Sequence, residues 1–387
     1  MSTGKPIYLD HNATTPMDPR VVEVMLPYFT EHFGNPSSVE HVYGAFASSA
    51  VEAARAKVAG AIGAQPAEIV FTGSCTEANN LAIIGAVRAT KKMQRLVTTQ
   101  IEHPAVLESF RQLEREGHQV TYLSVDETGL VRLDELEEAL TAGVYLVSIM
   151  GANNEVGTLQ PLAEAARLCA ANGALLHADL AQMPSYCPLD MHGLGLDLAS
   201  FSGHKIYGPK GVGALYVRRR RPRTQLEPLT WGGGHERGLR NGTLNTPLIV
   251  AMGEAMAIAQ KECQKNARTV AATRDTLRKR LTEALPGLVV NGHPTERLPS
   301  NLSVSIDGIE PLSLIRLLRD DIAFSASSAC STEDVKTSHV LLAMFGDTPR
   351  AQRAFRLSPG RMTIPADVEL AAASIVKSVV RLRELFR

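Results

Sequence analysis

Short apolar segments recur along the first 220 residues and alternate with longer stretches whose apolar residues recur at helical spacing. In residues 133–140, for example, Leu133, Leu136 and Leu140 fall on one side of a predicted helix. The short segments are mostly rich in β-branched residues, so we predict strands at residues 69–72, 96–99, 120–123, 144–149, 174–177, 198–201 and 213–217. This alternation predicts an α/β fold with a mainly parallel sheet covered by helices on both faces.

The pattern changes after Thr243. A helical pattern typical of a connector runs to about Leu285, and a second alternation of apolar and polar residues follows from Asn301 to Leu385. The chain of 387 residues is longer than a single core can fill, because single cores stop growing at about 250–300 residues. We therefore predict a large α/β domain at residues 16–258 and a smaller α+β domain formed by residues 1–15 and 259–387.

Polar residues follow five of the predicted strands. In open α/β sheets, ligands bind beyond the carboxyl ends of the strands, so polar residues at several strand ends predict one shared site. The residues concerned are Thr72-Gly73-Ser74, His103, Asn153-Asn154, Asp179 and His204-Lys205.

Lys205 is the most informative of these residues. It follows a predicted buried strand, and Gly208-Pro209-Lys210-Gly211 turns the chain afterwards, so a solvated surface lysine is the weaker interpretation. A lysine can form a Schiff base with an aldehyde, and a carboxylate such as Asp179 can keep a pyridine nitrogen protonated. Hydroxyl and imidazole groups nearby suit a phosphate. The stretch Ser202-Gly203-His204-Lys205 therefore predicts a site for pyridoxal phosphate (PLP).

Other phosphate-binding patterns fit less well. Gly203 to Gly208 has the spacing of a Walker A loop, but Pro209-Lys210 stands where the motif needs Lys-Ser or Lys-Thr. No Gly-x-Gly-x-x-Gly opens a helix after a strand, so a dinucleotide-binding fold is excluded. Ser74-Cys75-Thr76-Glu77 lies between a predicted strand and a predicted helix, where it forms either an anion site or a simple N-cap.

Composition excludes several classes of protein. The net charge is +0, the pI is about 7.2 and the mean hydropathy is -0.03, so no global charge attracts nucleic acid. Residues 218–223 form a basic cluster without aromatic residues, which favours a solvated hairpin tip. No apolar run approaches the ~20 residues of a membrane helix, and residues 1–10 do not resemble a signal peptide. We expect a cytoplasmic protein without direct membrane binding.

The five cysteines are an odd number without Cys-x-x-Cys spacing. This pattern argues against a disulfide framework and against a zinc site, so we predict no metal and a reducing environment.

Several longer motifs, in this order along the chain, resemble those of the cysteine desulfurases of the NifS/IscS type, which are class V, fold-type I PLP enzymes. The resemblance extends from residue 8 to about residue 363 and implies a seven-stranded, mainly parallel sheet with a smaller α+β domain. The motifs are Tyr8 to Thr15, Gly34 to Ser38, Glu102 to Val106, Asn153 to Gly157, His177-Ala178-Asp179, Ser202 to Lys205, Gly234 to Gly238 and Arg356-Leu357-Ser358.

The resemblance implies a role for each matching residue. Lys205 would bind the cofactor aldehyde, Asp179 the pyridine nitrogen and Gln182 the ring hydroxyl, while His103 would stack on the ring. Asn154 would lie near cofactor and substrate, and Asn35 and Arg356 near the substrate carboxylate. Thr243 would reach the phosphate of the other subunit, which implies a homodimer. The remaining phosphate ligands would be Thr76, Ser202 and His204, beside Cys75, where the family usually has a small residue such as alanine.

Cys330 lies in the small, polar stretch Ser325 to Thr332, which is unsuited to core packing. A buried, inert thiol is a better description of Cys169 and Cys187. The surroundings of Cys330 resemble those of group I, long-loop desulfurases. We therefore expect L-cysteine as substrate, Lys205 as the base, Cys330 as the sulfur acceptor and His103 as the proton shuttle.

Two other functions remain open on the sequence. Another class V reaction, such as selenocysteine lysis or amino-group transfer, would use Lys205 and Asp179 without Cys330. A sulfur-relay or scaffold subunit would depend mainly on partner binding. The acceptor is also open, since iron–sulfur clusters, tRNA thiolation, DNA phosphorothioation and cofactor synthesis leave no mark in the sequence. The sequence ends at Arg387 without the longer tail of housekeeping members, so docking to their scaffold is not implied.

Overall fold

The computed structural model describes residues 5–219, 224–326 and 337–385. Its strands are β1 (Ile7–Tyr8), β2 (Ile69–Thr72), β3 (Arg95–Thr99), β4 (Gln119–Leu123), β5 (Leu146–Ser148), β6 (Leu175–Asp179), β7 (Leu198–Ser202), β8 (Gly213–Val217), β9 (Leu288–Asn291), β10 (Leu302–Ile306), β11 (Ile322–Ala323), β12 (Ser325–Ala326) and β13 (Ala354–Leu357). Its helices are α1 (Pro19–Met25), α2 (Pro27–Thr30), α3 (Val42–Ala61), α4 (Cys75–Ala89), α5 (Pro104–Arg115), α6 (Leu133–Leu140), α7 (Leu162–Ala171), α8 (Thr246–Ala284), α9 (Pro311–Leu318), α10 (His339–Phe345), α11 (Pro349–Gln352) and α12 (Pro365–Leu385).

Seven strands form the main sheet in the order β2-β8-β7-β6-β5-β3-β4. Only β8 runs against its neighbours in this sheet, so the predicted α/β fold with a mainly parallel seven-stranded sheet is confirmed. Each predicted strand is present, with ends that differ by up to two residues.

Alternating side chains of the central strands enter two different cores, because successive residues of a strand point to opposite faces. Leu96 packs with α4 and α5, whereas Val97 packs with α3, α6, α7 and α8. Leu175 and Leu176 divide between the two cores in the same way. Both faces of the sheet are therefore buried, as the near-continuous apolar strands require.

A smaller antiparallel sheet has the order β12-β13-β10-β9 and packs against α9 and α12. Leu9 is buried in this core, and β1 pairs with β11. Helix α8 contributes Ile249 to the core of the main sheet and Leu277 to the smaller core. Residue 258, the predicted domain boundary, lies inside this continuous helix, so α8 links the two cores without an intervening loop. No helix in the described ranges is long and apolar enough to span a bilayer.

The N-terminal segment crosses from the smaller sheet to the carboxyl edge of the main sheet. Asp10 forms a parallel bridge with Ser358, next to β13. Five residues later, the backbone N–H and the hydroxyl of Thr15 both donate to the carbonyl oxygen of His204, at 2.9 Å each. Residues 10–15 therefore fasten both cores together beside Lys205.

Gly213 is a position where the fold depends on a missing side chain. A Cβ there would lie 2.5 Å from the carbonyl carbon of Ser74 and 2.8 Å from the amide nitrogen of Cys75. Since both contacts are backbone atoms, we expect Gly213→Ala to cost about 1–3 kcal/mol in the free energy of unfolding. Gly60→Ala is the control, because nothing lies within 4 Å of its Cβ. Urea unfolding measures both variants, and equal midpoints would contradict this account.

Candidate active site

Lys205 ends the short turn that follows β7. Its Nζ donates to the carbonyl oxygens of Asn12 and Ala13, at 2.6 Å each. Burial and, to a smaller extent, the positive charge of Arg356 lower the pKa of Lys205 to about 8, against the opposing charges of Asp10 and Asp179. The amine is thus held inside the protein and loses its proton close to neutral pH.

Asp179 is the last residue of β6, and helix α4 contacts both of its carboxylate oxygens. Asn79 donates to Oδ2 at 2.7 Å, while the backbone of Ala181 donates to Oδ1 at 3.0 Å. The thiol of Cys75 contacts Oδ1 at 3.7 Å. Cys75 and Asn79 are four residues apart and share one face of α4, so this helix fixes the orientation of the carboxylate.

The Cys75 thiol stays protonated, because burial and the charge of Asp179 raise its pKa well above the usual value. Cys75 is therefore a hydrogen-bond donor to Asp179 and no nucleophile in this state.

His103 is the N-cap of α5, and its Nδ1 accepts from the backbone N–H of Ala105 at 3.1 Å. An accepting Nδ1 leaves the proton on Nε2. Burial lowers the pKa of His103, with Asp179 opposing and Lys205 and His339 adding to the shift. His103 is therefore a neutral imidazole that donates through Nε2.

Helix α4 points its N-terminus at the same edge of the sheet. Ser74 caps the helix by accepting from the N–H of Glu77, and Thr76 lies exposed in the first turn. The first amides of a helix have no acceptor within it, so they can bind an anion.

Ser202 ends β7, and His204 shares a hydrogen bond of 3.1 Å with the hydroxyl of Thr14. Burial lowers the pKa of His204 to about 4, so its ring is neutral.

Arg356 is buried in β13, and its guanidinium contacts a carboxylate and a backbone carbonyl group. Nη2 pairs with Asp10 at 2.7 Å, and Nη1 donates to the carbonyl oxygen of Asn154 at 2.8 Å.

Gln182 donates through Nε2 to the carbonyl oxygen of Asn12 at 2.9 Å, the same oxygen that Lys205 contacts. The predicted residues Asn154, Gln182, Lys205 and Arg356 are therefore linked by hydrogen bonds through the N-terminal segment.

PLP presents an aldehyde, a pyridine nitrogen and a phosphate, and this cleft offers a partner for each. Lys205 supplies the amine, Asp179 a fixed carboxylate, and the N-terminus of α4 with Thr76 and Ser202 supplies phosphate donors. Gly213 is also consistent with such a site, because a Cβ there would collide with the amide nitrogen of Cys75 at the N-terminus of α4. The residues present fit the cofactor.

The family model for class-V aminotransferases matches residues 7–370. Among similar proteins, the mitochondrial cysteine desulfurase of Drosophila melanogaster is 47% identical over 99% of this chain and 82% of its own length. The cysteine desulfurase IscS of Dechloromonas aromatica is 44% identical over 100% of this chain and 95% of its own length. A solved NifS-like protein has a TM-score of 0.90 at 38% identity, covering 97% of this chain and 99% of its own.

The chain belongs to the class-V aminotransferase family. Within it, the chain is a member of the cysteine desulfurases of the NifS/IscS type. The resemblance inferred from the motifs is confirmed.

Two predicted site residues, Asn35 and Thr243, stand apart from this cleft, and a third lies outside the described residues. Asn35 is exposed, and its Oδ1 accepts from the N–H of Ser37 within its own turn. Thr243 is exposed on the loop before α8 and joins none of the described cleft hydrogen bonds. Cys330 lies outside the described residues, as do residues 220–223 of the basic cluster. The roles expected for these residues stay predictions.

The loop that carries Thr243 is nevertheless firmly anchored. Glu236 is buried and accepts from Arg55 at 2.6 and 2.7 Å. Arg240 pairs with Glu77 in the first turn of α4 at 2.8 Å. Thr243 therefore follows a segment that is fixed against β2, α3 and the N-terminus of α4.

Sequence reasoning missed two residues of the site. Asn79 holds Asp179; its position four residues after Cys75 places both on one face of the helix, but nothing in the sequence directs that face towards Asp179. Asp10 lies within one of the recognised motifs, but nothing in the sequence paired it with Arg356.

The pKa of Lys205 predicts how fast the cofactor-free protein takes up PLP, because only an uncharged amine attacks an aldehyde. With a pKa of about 8, about a tenth of the amine is uncharged at pH 7. We expect the uptake rate to rise with pH and to level off above about pH 8. Growth of the visible absorbance measures this rate, with Nα-acetyl-lysine as the reference amine. A rate that keeps rising to pH 10, as for the reference, would contradict the buried-lysine account.

Proposed function

We propose that this desulfurase removes sulfur from L-cysteine, releases L-alanine and passes the sulfur on as a persulfide of Cys330. The reaction L-cysteine + Cys330–SH → L-alanine + Cys330–S–SH balances in atoms and needs no external oxidant. The observation that carries the proposal is Lys205, whose buried amine lies among Asp179, His103 and Arg356 at one edge of the sheet.

PLP, when bound, supplies an electron-withdrawing ring that makes the Cα–H bond of an amino acid acidic. Lys205 would hold the cofactor and then accept the Cα proton at Nζ. Its pKa of about 8 suits this task, since a general base works best when its pKa lies near the working pH. Asp179, held by Asn79 and Ala181, would keep the pyridine nitrogen charged.

His103 would deliver a proton from Nε2 to the carbon that loses sulfur, which completes the methyl group of alanine. Its fixed Nδ1 contact with Ala105 leaves Nε2 as the donor. Arg356 would bind the substrate carboxylate, because its planar guanidinium can donate to two oxygens at once.

The partners of the reaction follow from the same proposal. The substrate is L-cysteine, and the sulfur acceptor is a protein or scaffold that receives the persulfide. Two chains would form a homodimer, so that Thr243 of each reaches the phosphate site of the other. Cys75, Cys169, Cys187 and Cys263 are free thiols, which supports a reducing compartment. We assign the protein to the cytoplasm, although the name of the Drosophila relative places that protein in mitochondria.

An anaerobic assay with L-cysteine and a thiol reductant tests the function by following sulfide and alanine together. We expect equal amounts of both products from the wild type and neither above background from Cys330→Ser, which keeps the visible absorbance of bound PLP. Cys187→Ser is the matched thiol control and should react at the parental rate.

Other outcomes would overturn parts of the proposal. A parental rate in Cys330→Ser would remove Cys330 from the mechanism. A coloured wild-type protein without sulfide would favour another class V reaction, such as selenocysteine lysis or amino-group transfer. A colourless protein that does not take up added PLP would favour a sulfur-relay or scaffold role.

Two variants separate proton transfer by His103 from its structural role as the N-cap of α5. Asparagine is a strong N-cap, so His103→Asn should keep the stability of α5 while losing the imidazole. We expect kcat to fall by about 10²–10⁴ with little change in KM. His103→Ala should lose similar activity and also about 1 kcal/mol of stability. Steady-state kinetics and urea unfolding measure the two effects, and a His103→Asn variant with parental kcat would exclude proton transfer by His103.

A further inference from the structure

The carboxylate of Asp10 joins two elements of the smaller domain. Oδ1 pairs with Nη2 of Arg356 at 2.7 Å, and Oδ2 accepts from the hydroxyl of Ser325 at 2.8 Å. Ser325 and Arg356 face each other in the antiparallel pair β12–β13. Asp10 itself is held by its bridge to Ser358 and by its carbonyl oxygen, which accepts from the hydroxyl of Tyr8. Both oxygens of Asp10 are therefore committed to neighbouring strands.

Arg356 needs a negative partner because it is buried, and an unpaired buried charge is strongly destabilising. Asp10 and Glu155 both interact with it. Glu155 accepts from the hydroxyl of Ser338, and burial raises its pKa, which favours the neutral acid. Asp10 is the carboxylate in direct contact with Arg356. The counter-charge that holds Arg356 in place is thus Asp10.

The guanidinium of Arg356 has N–H donors that make no hydrogen bond to the described residues. Nη1 donates to the carbonyl oxygen of Asn154 and Nη2 to Asp10, whereas Nε has no partner among the described residues. A guanidinium carries five N–H donors, so donors remain for a second carboxylate. Both existing contacts prevent rotation of the planar group, which presents the remaining donors in one fixed direction.

We propose that Asp10 is a positioning residue for substrate recognition: it fixes Arg356 so that the guanidinium binds the α-carboxylate of the amino acid. This inference rests on the proposed function for the identity of the substrate. Asp10 does not touch the reacting atoms, and its effect appears in binding of the carboxylate rather than in the chemical step. It follows that ligands with an α-carboxylate depend on Asp10 and that their amides do not.

The test measures binding to the PLP-loaded protein by isothermal titration calorimetry, with L-alanine and L-alaninamide as paired ligands. We expect Asp10→Asn to raise the Kd of L-alanine about fivefold, since Asn keeps an acceptor for Arg356 but loses the charge. Asp10→Ala should raise it by about tenfold or more. The Kd of L-alaninamide should be unchanged. In the desulfurase assay, Asp10→Asn should raise KM for L-cysteine and leave kcat within about twofold.

Asp307→Asn is the matched control, because it removes an Asp–Arg pair with Arg353 on the exposed surface of the same domain. It should bind both ligands as the wild type does. If Asp10→Asn binds L-alanine as tightly as the wild type or more tightly, or weakens both ligands equally, the inference is wrong. Asp10→Asn gives this answer even where Asp10→Ala does not fold. Failure of the proposed function is distinct, since a wild type without sulfide production still reports carboxylate binding by calorimetry.

Discussion

The site depends on the burial of the Lys205 amine against the carbonyl oxygens of Asn12 and Ala13. Burial and the positive charge of Arg356 favour the uncharged amine, the charges of Asp10 and Asp179 oppose the shift, and the resulting pKa is about 8. The carbonyl groups come from an N-terminal segment that is fixed at both ends, by Ser358 and by His204. This backbone segment thus positions the amine of Lys205 at the edge of the main sheet.

The same segment explains how two cores make one site. Asp10 contributes the carboxylate that holds Arg356, while Thr14 and Thr15 contact His204 beside the phosphate-binding edge. Helix α8 fixes the cores relative to each other because its residues are buried in both. The polar groups of the cleft therefore come from distant parts of the chain and are held together by α8 and the N-terminal segment.

Burial also decides which groups of the cleft carry a proton. His103 and His204 have lowered pKa values and are neutral, and Cys75 has a raised pKa and stays a thiol. The carboxyl of Glu102, next to His103, has a pKa of about 8 because it is buried, although Met150 and Thr99 donate to it. Lys205, with a pKa of about 8, is the cleft amine that can gain or lose its proton near neutral pH.

The pattern of apolar residues determined the strands and the order of helices, because burial of a parallel sheet on both faces leaves a strong local signal. The spacing of motifs likewise identified Lys205 and Asp179, which lie at strand ends. The pairs Asp10–Arg356 and Asn79–Asp179 were decided only by the tertiary structure, since their members are 346 and 100 residues apart. Side-chain partners at such separations depend on how strands and helices pack, and no local pattern records that packing. The proton states followed from the same packing, because desolvation of Lys205, His103 and Cys75 requires the surrounding cores.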